Sequence, residues 1–593
     1  MSETNPHVSV SIASEYSFAG FQLKADGTLW SGNEVVHLPP KELAALRFLL
    51  EHAGQVVSPQ QLMEALWSGV HVTADSVSKC LSSLRARLEP AACIQTIYKR
   101  GYRFSAELLR KEPFTAVYLA RLAVMPFETG LSVPEHLGPS LAEGIIARLS
   151  SQRRDSLAVL ARDSVFTLAR RGKSALEVGR ELRADLVFSG HIEALTGFLR
   201  ARLEMIRVAD GTQLWAEDLM LEQERLSELE LEIVARLMSR VGVGNAAFAA
   251  AERSFNESRP AAHPHPSEAY ASFLRGHYEW QSLHRSRMQE GMRHLTRASE
   301  LDPSLLAARV DLVQLAMTQC YYGFMAPRAA ADQIRRTSLE LPPASRQMES
   351  VLPAIGLVHL HVDHDLAAAV EAFDDSSHLP HDSWTTRARV HFELSRHHFS
   401  EAIELLAAAQ AQDPCSPWIE ARLAWALHLN RDAAASLEQI ERCLKLFPEH
   451  LATGIYGTIL LAWSGQLERA LEMALSLTRR FPYFDLGLAL EAYVRALDGQ
   501  SEYAAQMMER LEWLGRERYV MKSFSAATYL ALGKTDMALT QLRTAAEERC
   551  PWFLPTLADP RLDAIAALPA FGSLRQILSR MEDSLGGKAP WPA

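Results

Sequence analysis

The chain reads as a multidomain, mostly α protein with a small α+β head, a small α/β middle region and a long C-terminal α-solenoid. Three observations carry this reading. Between Thr73 and Phe104 the apolar period switches from that of a helix to that of a strand. Over 117–241 short apolar runs alternate with helical stretches and end in a meander. From Ala402 to Ala545 a pattern of small and apolar residues recurs every 34 positions. At 593 residues the chain is too long for one core, so several domains are expected.

The head spans 15–108, after an N-terminus (1–14) expected to be disordered. Tyr16 to Val36 alternates and turns at Asp26-Gly27 and Ser31-Gly32, which predicts a small antiparallel sheet. Helices are expected near 40–52, 59–67 and 74–89. In the last of these, Val77, Leu81, Leu84 and Leu88 make one apolar stripe. The opposite face carries Asp75, Lys79, Ser82, Ser83 and Ala86, short enough to admit a nucleic-acid groove. Pro90 stops the helix. Ile94 to Tyr98 and Tyr102 to Phe104 then form a hairpin with a basic tip at Lys99-Arg100.

Lys79, Arg85, Arg87, Lys99, Arg100 and Arg103 face only Asp75 and Glu89 in this stretch, a local net charge of +4 in a chain of net −10. A basic island on a helix and hairpin is an electrostatic footprint for phosphates. The competing reading is a solvated helix beside an edge hairpin.

The order of motifs favours DNA. Leu38-Pro39-Pro40-Lys41-Glu42-Leu43, Gly54-Gln55-Val56-Val57-Ser58, Leu84-Arg85-x-x-Leu88-Glu89-Pro90 and Arg100-Gly101-Tyr102-Arg103-Phe104 resemble, in sequence, the OmpR/PhoB-type winged-helix effector domain. The resemblance implies that helix 74–89 enters the major groove. Lys79, Ser82 and Ser83 are then the base-edge candidates, with Ser76 at the helix start. Arg85, Arg87, Lys99, Arg100 and Arg103 would hold phosphates, with the hairpin tip reaching a minor groove. The resemblance also implies that the loop Trp67 to Val72 can touch RNA polymerase. Lys99 stands where the family usually has a second glycine, and serines stand where it often has arginine.

The middle region, 117–241, opens with the buried-strand run Leu122 to Phe127 and contains a strong hairpin signal at Asp210-Gly211. Its LAVMPF, GRELRADLVFSGHIE and DGTQLWAEDL runs resemble the small α/β domain related to the TolB N-terminal domain. A linker, 242–266, follows.

The array, 267–585, carries its period openly. Ala402, Ser436, Ala470, Ala504 and Ala538 are spaced by 34, as are Pro414, Pro448 and Pro482, and Gly465, Gly499 and Gly533. A small residue, an apolar residue four later and another three beyond is the tetratricopeptide pattern, in which the small residue lets two helices approach closely. Residues 304–385 look helical but off-period, and the tail from Pro551 to Leu578 is expected to cap the last repeat. Such an array implies a concave surface for a protein, peptide or small effector, and self-association.

Enzyme chemistry finds little support. His359, His361, Asp363 and His364 crowd together, but 361 points away from 359 and 363 on a helix. Gly172-Lys173-Ser174 lacks the leading glycine and strand of a phosphate loop. No metal or cofactor is expected. The six cysteines form no CxxC pair, and no apolar run reaches 18 residues, so a reduced, cytoplasmic setting without a membrane span is expected. The expected function is a sequence-specific DNA-binding regulator, an activator controlled through the middle and repeat regions, binding as a dimer or on tandem half-sites. The alternative is an interaction scaffold with residual DNA contact.

Overall fold

The computed structural model describes residues 15–111 apart from short connections at 20, 24–27, 32–33, 37, 55, 67–73, 89–92, 98–99 and 106–107, and residues 120–151, 157–240, 266–342, 351–376 and 383–583. The chain divides into two compact units, Met1–Tyr118 and Leu119–Ala593.

In the first unit, strands β1 (Glu15–Phe18), β2 (Phe21–Leu23), β3 (Leu29–Ser31) and β4 (Glu34–Val36) form an antiparallel sheet completed by β8 (Leu108–Lys111). Helices α1 (Pro40–Glu51), α2 (Pro59–Leu66) and α3 (Ala74–Arg87) follow. Between and after them, β5 (Val56–Val57), β6 (Ile94–Ile97) and β7 (Gly101–Phe104) make a second sheet in the order β5-β7-β6. Helix α2 starts where the sequence can cap it. The Ser58 backbone N–H donates to Gln61 Oε1 at 2.9 Å, and the Gln61 N–H returns to Ser58 Oγ at 3.2 Å. Leu46, Leu49, Leu62, Val77, Leu81, Leu84 and Phe104 meet in one core.

The second unit begins with a mixed sheet ordered β11-β9-β12-β13-β14, with β10 (Glu128–Thr129) beside β12. Strands β9 (Ala120–Val124), β11 (Leu157–Val159) and β12 (Leu186–Leu195) run parallel, and β12, β13 (Phe198–Arg207) and β14 (Gln213–Glu222) form the meander. Helices α4 (Leu137–Ser151), α5 (Arg162–Arg170), α6 (Ala175–Glu181) and α7 (Leu226–Arg240) pack on it.

Helical pairs continue from Ser267–Trp280 to Thr535–Glu547. The off-period stretch contains Leu306–Tyr321, Pro327–Leu339 and Val351–Val358, the last running into a π-helical turn at His359–Asp363. That turn directs His361 inward, where it is buried, while His359 pairs with Asp363 at 2.9 Å.

Two features depart from the simple array. The turn position of the glycine ladder extends two repeats further than the glycines do. His397 (φ 58°) and Arg431 (φ 66°) occupy the same left-handed conformation as Gly465, Gly499 and Gly533, at the same 34-residue spacing. An L-residue there costs roughly 1–2 kcal/mol. The tail, expected only to cap the end, does two things. Its last helix, Pro569–Asp583, packs on Thr535–Glu547, but the preceding segment crosses the first helices of several pairs and is buried there.

The α/β domain is bonded directly to the array. Ser140 Oγ donates to the Leu274 carbonyl at 3.1 Å, and Arg387 bridges to Asp163 at 3.1 Å. Helix α5 has Ala161 at its N-cap and no capping side chain of its own. The missing acceptor comes from the array, where Asp413 Oδ1 takes the Ser164 backbone N–H at 3.1 Å. Burial and the neighbouring Asp163 push the Asp413 carboxyl up to about 7.

The Asp413 contribution to stability is complete below the ordinary carboxylate pKa and is lost as pH rises through about 7. Asp413→Asn keeps an acceptor for Ser164 and removes the charge. It is expected to raise the thermal midpoint of the full-length protein at pH 8 by roughly a few degrees, with the gain closing by pH 5. Differential scanning fluorimetry across that range checks it.

Candidate nucleic-acid interface

Helix α3 buries Val77, Leu81 and Leu84, with Leu88 buried just after it, and leaves Ser78, Lys79, Ser82 and Ala86 exposed. The outward face is therefore short, polar and nearly free of bulk. The expected set shifts slightly. Ser83 is half-buried and its hydroxyl donates to Glu42 Oε1 at 2.7 Å, while Ser76 is half-buried at the helix start. Ser78, not singled out from the sequence, lies on the open face with its Oγ 3.2 Å from the Tyr102 hydroxyl. The helical wheel held the signal. At 100° per residue, Ser78 lies 60° from Asp75 on one side and Ser83 lies 80° away on the other.

The cations divide into two groups. Arg85 is a strut to the hairpin. Its Nε donates to the Ile94 carbonyl at 3.0 Å, its Nη2 to Thr96 Oγ1 at 2.8 Å, and its guanidinium lies 5.7 Å from the Tyr102 ring centre. Arg87 pairs with Glu42 at 2.8 Å. Glu42 thus ties the start of α1 to two points on α3, Ser83 and Arg87, and sets the rotation of α3 about its axis. Lys79 and Arg100 are exposed, and Arg103 is half-buried on β7. Lys99 and the loop Trp67 to Val72 lie outside the described residues.

The hairpin is seated against β5 through Gly101. At φ 136°, an added Cβ would lie 2.0 Å from the Val57 carbonyl oxygen, so only glycine lets β7 approach β5 this closely. Opposite one another, Thr96 pairs with Tyr102 and Gln95 with Arg103. The result is a helix and a two-stranded ribbon joined by Arg85, Tyr102 and Ser78.

Two stretches of the chain match known families. Residues 32–104 match the family described as "Transcriptional regulatory protein, C terminal". Residues 119–236 match "HilA/YgeH-like transcriptional regulator, second domain". The chain is a transcriptional regulator with an OmpR/PhoB-type winged-helix DNA-binding domain at its head. Over 503 residues the regulator is 22% identical to the transcriptional regulator HilA of Salmonella typhimurium, covering 84% of this chain and 82% of that one. Over 79 residues it is 34% identical to the phosphate regulon transcriptional regulatory protein PhoB of Escherichia coli, covering 13% of this chain and 34% of that one. Among solved structures, the DNA-binding domain of E. coli CadC aligns at 22% identity and a TM-score of 0.16, covering 16% of this chain and 95% of that one. In the regulator, no helix among the described residues is long and apolar enough to cross a membrane.

The Glu42 contacts make a direct test possible. Glu42→Ala removes the acceptor of the half-buried Ser83 hydroxyl and breaks the ion pair with Arg87, a loss of about 1.5–3 kcal/mol for hydrogen bonds to a charged group. Hydrogen exchange of the α3 amides in the full-length protein is expected to quicken accordingly, while exchange in the second unit stays unchanged.

Proposed function

We propose that the regulator binds promoter DNA sequence-specifically and activates transcription, with α3 in the major groove and the β6–β7 hairpin over an adjacent minor groove. The observation that carries this reading is the open face of Ser78, Lys79, Ser82 and Ala86 beside a hairpin held at a set angle by Arg85. Ser78, Lys79 and Ser82 would meet base edges, while Lys99, Arg100 and Arg103 would meet phosphates. Arg85 and Arg87 act by positioning, because their guanidinium groups are already engaged. Ser76 and Ser83 support the helix from its inner flank.

One winged helix grips few bases, so binding as a homodimer or on tandem half-sites follows. Activation and contact with RNA polymerase are proposed from the family resemblance of the loop Trp67 to Val72. Control is assigned to the second unit, which would take a protein, peptide or small effector. We read the regulator as non-enzymatic and cytoplasmic, in keeping with its six free thiols.

Mobility-shift titration on promoter fragments from its own host tests the reading. Arg100→Ala is expected to weaken binding and to reduce the slope of log affinity against log salt by about 1, and Lys79→Ala to weaken binding to promoter DNA more than to random DNA. Ser83→Ala is expected to change it far less. If the wild-type protein binds promoter and random DNA equally weakly, the interaction-scaffold reading replaces this one.

A further inference from the structure

In an open solenoid, the first helix of each pair lines a concave face that meets water. Here those helices are buried nearly all round. Along Leu451–Trp463, every residue from Leu451 to Ala462 is buried. Polar groups on the equivalent helices are buried too, including His391, Arg422 and His428. These three polar groups are met by the chain's own segment from Arg549 to Asp563.

The segment is held at every step. The Trp552 indole N–H donates to the Tyr321 carbonyl at 2.8 Å, and Arg422 lies 4.7 Å from the Trp552 ring centre. His391 Nε2 bonds the Pro551 carbonyl at 3.0 Å, and His397 Nε2 bonds the Leu554 carbonyl at 2.9 Å. Asp559 lies between Arg561, at 2.6 Å, and His428, at 3.3 Å. Arg431 closes the far end on Asp563 at 2.8 Å.

Two of these anchors are the residues that break the glycine ladder. His397 and Arg431 occupy left-handed turns in which the next three repeats have glycine. Both spend their side chains on the segment. A further pair repeats the theme, since His364 (φ 57°) and Arg549 (φ 64°) are also left-handed and bond one another at 2.6 Å.

We propose that Arg549–Asp563 is a strap that fills the inner channel of the array and locks it closed, and that His397 and Arg431 replace glycine in their turns in order to hold it. The strap joins Leu306–Tyr321 to Ser383–Ser395 and Pro417–Leu429, elements far apart in sequence. The inner channel is consequently occupied by the chain itself, and a partner of the second unit docks on an outer surface.

The test uses the full-length protein. His397→Gly/Arg431→Gly places the preferred residue in both turns while deleting both anchors. Amide exchange across 550–562 is expected to quicken at least tenfold (order-of-magnitude expectation for opening a docked segment), with no rise in thermal midpoint. A higher midpoint with unchanged exchange would overturn the proposal, since the two side chains would then be incidental. Trp552→Ala provides a second reading. Protection is expected to fall together in Leu306–Tyr321, Ser383–Ser395 and Pro417–Leu429. Loosening confined to Thr535–Glu547 would mark the segment as an ordinary terminal cap and sink the idea.

Discussion

A residue no larger than serine at every thirty-fourth position sets how the second unit is built. Ala402, Ser436, Ala470, Ala504 and Ala538 are all fully or almost fully buried. Each lets the second helix of a pair approach the first without a side chain between them. Ser436 is the one polar member, and its hydroxyl donates to the Ala424 carbonyl at 2.8 Å, so it costs no unsatisfied group. Close pairs stacked at a constant period generate a steady curvature. That curvature brings Tyr322 and Phe324 against Phe484 and so returns the array on itself.

The curl explains the polar chemistry at the α/β junction. A helix without its own cap, α5, begins where the array turns at Asp413-Pro414. Asp163 and Asp413 share that site with Arg162 and Arg387, and burial makes their charges expensive unless each has a partner. Nearby, His277 bridges Asp311 and Glu143, which extends the polar seam from α4 to the first helices of the array. The α/β domain and the repeats are therefore joined by a polar seam within one compact unit.

At the head, the division of labour among cations matters more than their number. Six basic side chains lie in the stretch from helix to hairpin. Arg85 and Arg87 are bonded to the protein itself, so they shape the surface on which Lys79 and Arg100 stand exposed. The face proposed to read bases carries hydroxyls and a methyl group, which would tolerate several bases where an arginine fork would demand guanine.

Much of this was legible in the amino-acid sequence because it depends on local periodicity. The stripe Val77, Leu81, Leu84 and Leu88, the Asp210-Gly211 hairpin and the 34-residue ladder all appear as expected, since helix, turn and repeat are decided by residues near in sequence. The likeness of the head to a winged helix was equally readable from ordered motifs. What escaped was every assignment that needs a partner far along the chain. Ser83 turns to Glu42, 41 residues earlier, and Asp413 caps a helix that begins 251 positions before it. The strap meets Tyr321 from 231 residues away. Periodicity says which face of a helix is apolar; only the folded chain decides which distant carboxylate, carbonyl or turn arrives to meet the other.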